Sequence, residues 1–245
     1  MRFGCCANLD DIQAVQDAGY DYIELPAALV KAESPDSEFE ETLALVRSYE
    51  IVPEVWNSLL LEDMKVTGPE VDTYRIERYM RTAFHRIEEL GGEIVVFNSP
   101  DARNIPEGFS DDEARQQIIE FVTLAGRISG THGITVAIQP ISSAECNMVN
   151  TLADALQIVH DAHHPFVKLT ADLYQMNQEN EGLDQIIRAR AEIVHVHTSD
   201  YSQPDFLEVL KEIGYNERIS VNCRESGSGS EALHHLRRLY SEIFY

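Results

Sequence analysis

Eight short apolar runs, each followed by a stretch of helical periodicity, constrain this chain more than any other feature of its sequence. The runs are Arg2–Cys6, Tyr20–Leu25, Ile51–Asn57, Ile94–Asn98, Ile134–Gln139, Phe166–Ala171, Ile193–Thr198 and Ile219–Cys223. Their length is that of a strand buried on both faces, and the intervening spacing predicts helices from near Ile12, Ser34, Val71, Asp111, Thr151, Leu183, Phe206 and Ala232. Alternation of this kind builds parallel strands joined by right-handed helical crossovers. The economical closure is an α/β fold of class (β/α)8, a barrel occupying residues 1–245 as one domain. A doubly wound open sheet is the alternative, but no G-x-G-x-x-G follows the first strand to support its nucleotide-binding form. No linker or low-complexity tract divides the 245 residues.

In such a barrel the chemistry gathers at the C-terminal ends of the strands. Those ends carry Asn8, Glu24, Asn57, Asn98, Gln139 with Glu145, Asp172 with Gln175, His197 with Asp200, and Asn222 with Arg224. Every strand end is polar, a pattern that core filling does not explain and helix capping explains only for some Asn and Asp. His195 lies on the same strand face as His197, where it either orients a partner or fills the barrel. Trp56, Tyr22 and Phe97 sit near strand ends, placed to stack on a sugar ring or to pack. The cluster His160, His163 and His164 falls on the opposite face and suits a helix C-terminus. The four cysteines lack CxxC spacing and read as buried free thiols.

Charge narrows the partners. With 42 acidic residues against 19 Lys and Arg, the formal charge is −23, which opposes nucleic acid and anionic membrane surfaces. No apolar run approaches the roughly 20 residues of a membrane span, and the N-terminus lacks a secretory pattern, so the expected location is cytoplasmic.

Several runs resemble the sugar phosphate isomerase/epimerase family, the xylose isomerase-like TIM barrels that include D-tagatose 3-epimerase. They are Gly19-Tyr-Asp-Tyr-Ile-Glu-Leu25, Val95-Val-Phe-Asn-Ser-Pro100, Ile134-Thr-Val-Ala-Ile-Gln-Pro140 with Glu145-Cys-Asn147, Asp172-Leu-Tyr-Gln-Met176 and His195-Val-His-Thr-Ser-Asp200. The resemblance implies a carbohydrate isomerase or epimerase, possessing one divalent ion (Mn, Mg, Co or Zn), that moves a proton next to a carbonyl through an enediolate. Matched run by run, the family's four ligands fall on Gln139, Asp172, His197 and Asn222, so two carboxylates have become amides. An amide keeps size but loses charge and basicity. Metal affinity is therefore expected to be weak or lost, with Asp172 and His197 as either a residual metal pair or a hydrogen-bonded carboxylate and imidazole. Glu145 is the candidate base beside Gln139 and Asn222, and Glu24, Gln175, His195, Arg224 and Trp56 are candidate substrate-binding residues. The expected partner is a small sugar, with a homo-oligomer implied by the family. Only Arg103 and Arg224 could meet a phosphate, which favours an unphosphorylated ligand. The alternative is a non-catalytic relative that binds a polyol or a protein partner.

Overall fold

In the computed structural model the strand signals form one closed parallel barrel in sequence order, with the last strand pairing back to the first. The structure describes residues 1–198, 204–222, 233–234 and 237–238. The strands are β1 (Arg2–Cys6), β2 (Tyr22–Pro26), β3 (Val55–Asn57), β4 (Ile94–Phe97), β5 (Thr135–Ile138), β6 (Val167–Asp172), β7 (Ile193–Thr198) and β8 (Arg218–Asn222). The helices are α1 (Ile12–Asp17), α2 (Asp36–Arg47), α3 (Thr73–Glu89), α4 (Pro100–Arg103), α5 (Asp111–Gly130), α6 (Leu152–Ala162), α7 (Leu173–Gln178), α8 (Asp184–Ala189) and α9 (Pro204–Glu212). No helix among the described residues is long and apolar enough to cross a membrane.

Local chemistry sets the helix ends. Asp72 caps α3 by accepting from Arg75 N at 3.0 Å, and Gly91, at φ +83°, ends its last turn in a conformation that side chains rarely adopt. Along α3 the buried residues Ile76, Met80, Ala83, Phe84 and Ile87 recur at helical spacing, which turns one face to the barrel wall.

Along each strand, alternate residues point out to the helices or in to the barrel axis. Phe3, Ile23, Trp56, Val95, Ile138 and Val221 join the continuous outer core, whereas Tyr22, Val55, Ile94, Val96 and Ala137 form a separate inner cluster. The Tyr22 ring fills the axis and its hydroxyl lies 3.0 Å from Ser220 Oγ. This plug requires a glycine opposite, because a Cβ on Gly4 would sit 2.2 Å from the ring. At the barrel floor Arg218 Nε donates to Glu54 Oε2 and Nη2 to Glu93 Oε2, each at 2.7 Å.

Strand β7 departs from strict alternation. Its pairing with β6 runs Leu169 with Ile193 and then Thr170 with His195, so the register slips at that step. The extra residue, Val194, is a bulge that turns the following side chains to the other face. His195 and His197 therefore point inward, and His197 stands opposite Asp172.

Candidate active site at the barrel mouth

The inward parity that places Tyr22 on the axis brings Cys6, Glu24, Asn57, Gln139, Asp172, His197 and Asn222 to the layer above it. Most of them line a polar cleft of ≈ 440 Å³ at the C-terminal ends of the strands, together with Ser58, Asn98, Glu145, Tyr174, Gln175 and Thr198. That volume is within the range of small-ligand sites.

Glu24 is the hub beneath this cleft. Fully buried, its carboxylate accepts from Asn57 Nδ2 at 2.9 Å and lies 2.9 Å from both His195 Nε2 and His197 Nε2. Burial alone would raise its pKa, but the two imidazoles outweigh burial and hold it well below the usual carboxylate range. Burial likewise works against charge on His197, yet Glu24 and Asp172 on its two sides push it up to about 10. His195, fully buried, is held low by burial, only partly offset by Glu24. Its Nδ1 has no partner among the described residues, as suits a neutral ring donating through Nε2. The resulting charge order is carboxylate, imidazolium, carboxylate.

Asp172 is held on both oxygens. Oδ1 caps α7 by accepting from Gln175 N at 3.1 Å, and Oδ2 accepts from Gln139 Nε2 at 2.8 Å. Asp172 Oδ2 and His197 Nδ1 are 3.5 Å apart, long for a strong hydrogen bond and near the roughly 3.4 Å separating two ligands of one tetrahedral ion with bonds of about 2.1 Å. Gln139 Oε1 is buried with no donor. The Asp172–His197 spacing and the orphan oxygen of Gln139 thus suit a divalent cation, with Asn222 in the lining of the same cleft, while a single carboxylate among the four suits it poorly in charge. His197 already carries a hydrogen bond from its far nitrogen to Glu24, the outer-shell arrangement that orients imidazole ligands.

Glu145 stands exposed on the rim, where Gln175 Nε2 donates to its Oε1 at 3.3 Å. Gln175 Oε1 in turn accepts from Ser142 N at 2.7 Å, which ties the loop after β5 to α7.

Some sequence expectations require correction. Trp56 is fully buried on the outward face of β3, where Gly92 abuts its indole, so it cannot stack on a ligand in the cleft. Glu24 and His195 are equally inaccessible and act beneath the surface that a ligand would touch. Arg103 is fully buried, with Nη2 donating to Gln139 O at 2.8 Å and its guanidinium over Phe97, which removes it as a phosphate ligand. Arg224, Asp200, Cys223 and most of the last predicted helix lie outside the described residues. Cys6 and Cys146 are buried and outside any disulfide, as expected, whereas Cys5 is disulfide-bonded. Cys6, Ser58 and Tyr174 line the cleft without having been singled out; Tyr174 was legible only as part of the Asp172–Met176 run.

Comparison with known proteins agrees with this fold. A family model described as xylose isomerase-like TIM barrel matches residues 12–241. The 3-dehydro-D-guloside 4-epimerase of Escherichia coli K12 is 22% identical over 204 residues, covering 78% of this chain and 74% of that protein. A D-allulose 3-epimerase from Methylomonas, solved with D-allulose, superposes with a TM-score of 0.81 at 19% identity over 100% of this chain and 97% of that one. The IOLI protein, solved with a binding zinc atom, superposes with a TM-score of 0.72 at 17% identity over 99% and 98% of the two chains.

Proposed function

The chain belongs to the xylose isomerase-like TIM barrel family, and from that premise we propose that it binds an unphosphorylated sugar and moves a proton at the carbon beside its carbonyl. The observation supporting this most is the convergence of Gln139, Asp172, Gln175, His197, Asn222 and Glu145 on one polar cleft at the strand ends. The epimerases to which the chain is similar act on sugars of this class.

In this reading Glu145 is the base. It is the carboxylate of the cleft that no imidazole engages, since Asp172 faces His197. Gln139 and Asn222 keep hydrogen bonds to sugar hydroxyls but take no proton. Tyr174, about half exposed at the rim, offers a ring face to the sugar. Asp172 and His197, supported by the oxygens of Gln139 and Asn222, would hold a divalent ion. Such an ion supplies Lewis-acid polarisation of the carbonyl.

A second reading, binding of a polyol or a protein partner without turnover, is favoured by the two amides at positions where the resemblance implies proton-moving carboxylates. Deuterium exchange separates the two. Chelator-treated protein, alone and with Mn²⁺, Mg²⁺, Co²⁺ or Zn²⁺, is incubated in D₂O with a panel of ketoses and aldoses. Deuterium at the carbon adjacent to the carbonyl is the expected result. Stabilisation by a sugar without exchange would transfer support to the binding reading, and neither effect with any sugar would overturn both for small ligands.

A further inference from the structure

We propose that a second metal site, of the zinc class, lies on the face of the barrel opposite the mouth and is formed by His85, Glu88 and His132. His85 and Glu88 occupy the last turns of α3, three residues apart and so on one helix face. His132 sits in the tight turn that leads from α5 into β5. Both segments end at the N-terminal edges of their following strands, so the cluster is separated from the mouth by the length of the barrel.

The geometry joins these three side chains around one point. Glu88 Oε2 lies 2.6 Å from His132 Nδ1, the rings of His85 and His132 are 6.1 Å apart, and one ligand atom from each residue lies within 4.8 Å of the others. An ion pair alone would need only Glu88 and His132. His85 brings a second imidazole to the same carboxylate and makes no hydrogen bond to another described residue. Two imidazoles and one carboxylate are a donor set that borderline divalent ions prefer, and the His-x-x-Glu spacing projects both groups from one face. Small rotations of the exposed His85 and Glu88 close the set toward the roughly 3.3 Å ligand spacing implied by bonds of about 2.0 Å. The net charge of −23 adds a favourable field for a cation. An ion there would tie the end of α3 to the turn after α5.

Calorimetric titration of untagged, chelator-treated protein with Zn²⁺ alone tests the assignment. In Asp172→Asn, which disables the mouth, one equivalent is expected to bind, and that binding to weaken at least tenfold when His132→Gln, His85→Gln or Glu88→Gln is added; wild type takes up that equivalent beside any ion held at the mouth. Circular dichroism verifies that each variant keeps its fold. Zinc binding unchanged by all three substitutions, or no zinc binding in Asp172→Asn, would overturn the proposal.

Discussion

At the scale of single residues, the mouth is organised by a carboxylate that no ligand touches. Glu24 is fully buried and holds two imidazoles and an amide in one network, so removing its charge leaves His197 protonated beside one carboxylate instead of two. Glu24→Gln is expected to destabilise the fold by about 3–5 kcal/mol, the usual cost of breaking a buried pair, and to lower the His197 pKa. Denaturant titration and imidazole NMR would read both, and an unchanged His197 titration would refute the network. The same groups set a pH dependence for chelator-treated protein. His197, raised to about 10, contributes stability that is full below an unfolded value of about 6.5 and is lost as pH rises toward 10. His195 and Glu24 are lowered, so their contributions are present above their unfolded values and are lost as pH falls. Stability from this cluster is therefore greatest near pH 6.5 and declines on both sides. A profile that climbs steadily from pH 6 to 9 would contradict it. At the rim, Glu145→Gln removes the one base assigned to the cleft. It is expected to slow deuterium exchange by about 10²- to 10⁴-fold while sugar-induced stabilisation persists; unaltered exchange would reassign the base.

At the scale of elements, the pairing of β1 with β2 depends on a close approach that admits one residue type. Because a Cβ on Gly4 would meet the Tyr22 ring at 2.2 Å, Gly4→Ala is expected to cost about 1–3 kcal/mol through overpacking. Tyr22→Leu should relieve much of that clash, giving a favourable coupling in a double-mutant cycle; strictly additive effects would show that the ring and the glycine do not meet. Much of this architecture was legible in the sequence. All eight strands were, because an apolar run followed by helical spacing is a local signal, and the strand-end rule then located Gln139, Asp172, Gln175, His197 and Asn222 at the mouth. β3 begins at Val55 rather than Ile51 because Pro53 has no N–H to give the ladder. Trp56 was misplaced because it adjoins Asn57, and neighbours on a strand face opposite ways. The role of Glu24 carried no local signal at all. Its partners His195 and His197 lie 171 and 173 residues away, and they face it only after the bulge at Val194 reverses the parity of β7.

For the molecule as a whole, charge distribution decides what class of sugar the mouth can receive. The chain carries −23, and the cleft has Asp172 and Glu145 in its lining with Glu24 beneath it. Its positive charge is the His197 imidazolium, already shared between two carboxylates. Arg103 is fully buried, with Nη2 donating to Gln139 O and its guanidinium over the Phe97 face, so it does not line the cleft. A phosphate would thus enter a negative field and find no Lys or Arg among the described residues that line the cleft. A phosphorylated ketose is expected to bind at least about tenfold more weakly than the same ketose without phosphate, corresponding to about 1.4 kcal/mol. The gap should narrow as salt rises from 0.02 to 0.3 M, because screening shortens the reach of the surface charges from roughly 20 Å to under 10 Å. Paired calorimetric titrations at the two salt concentrations measure both effects. Equal or tighter binding of the phosphorylated sugar would mean that an anion nest exists beyond the described residues, with Arg224 the first residue to replace.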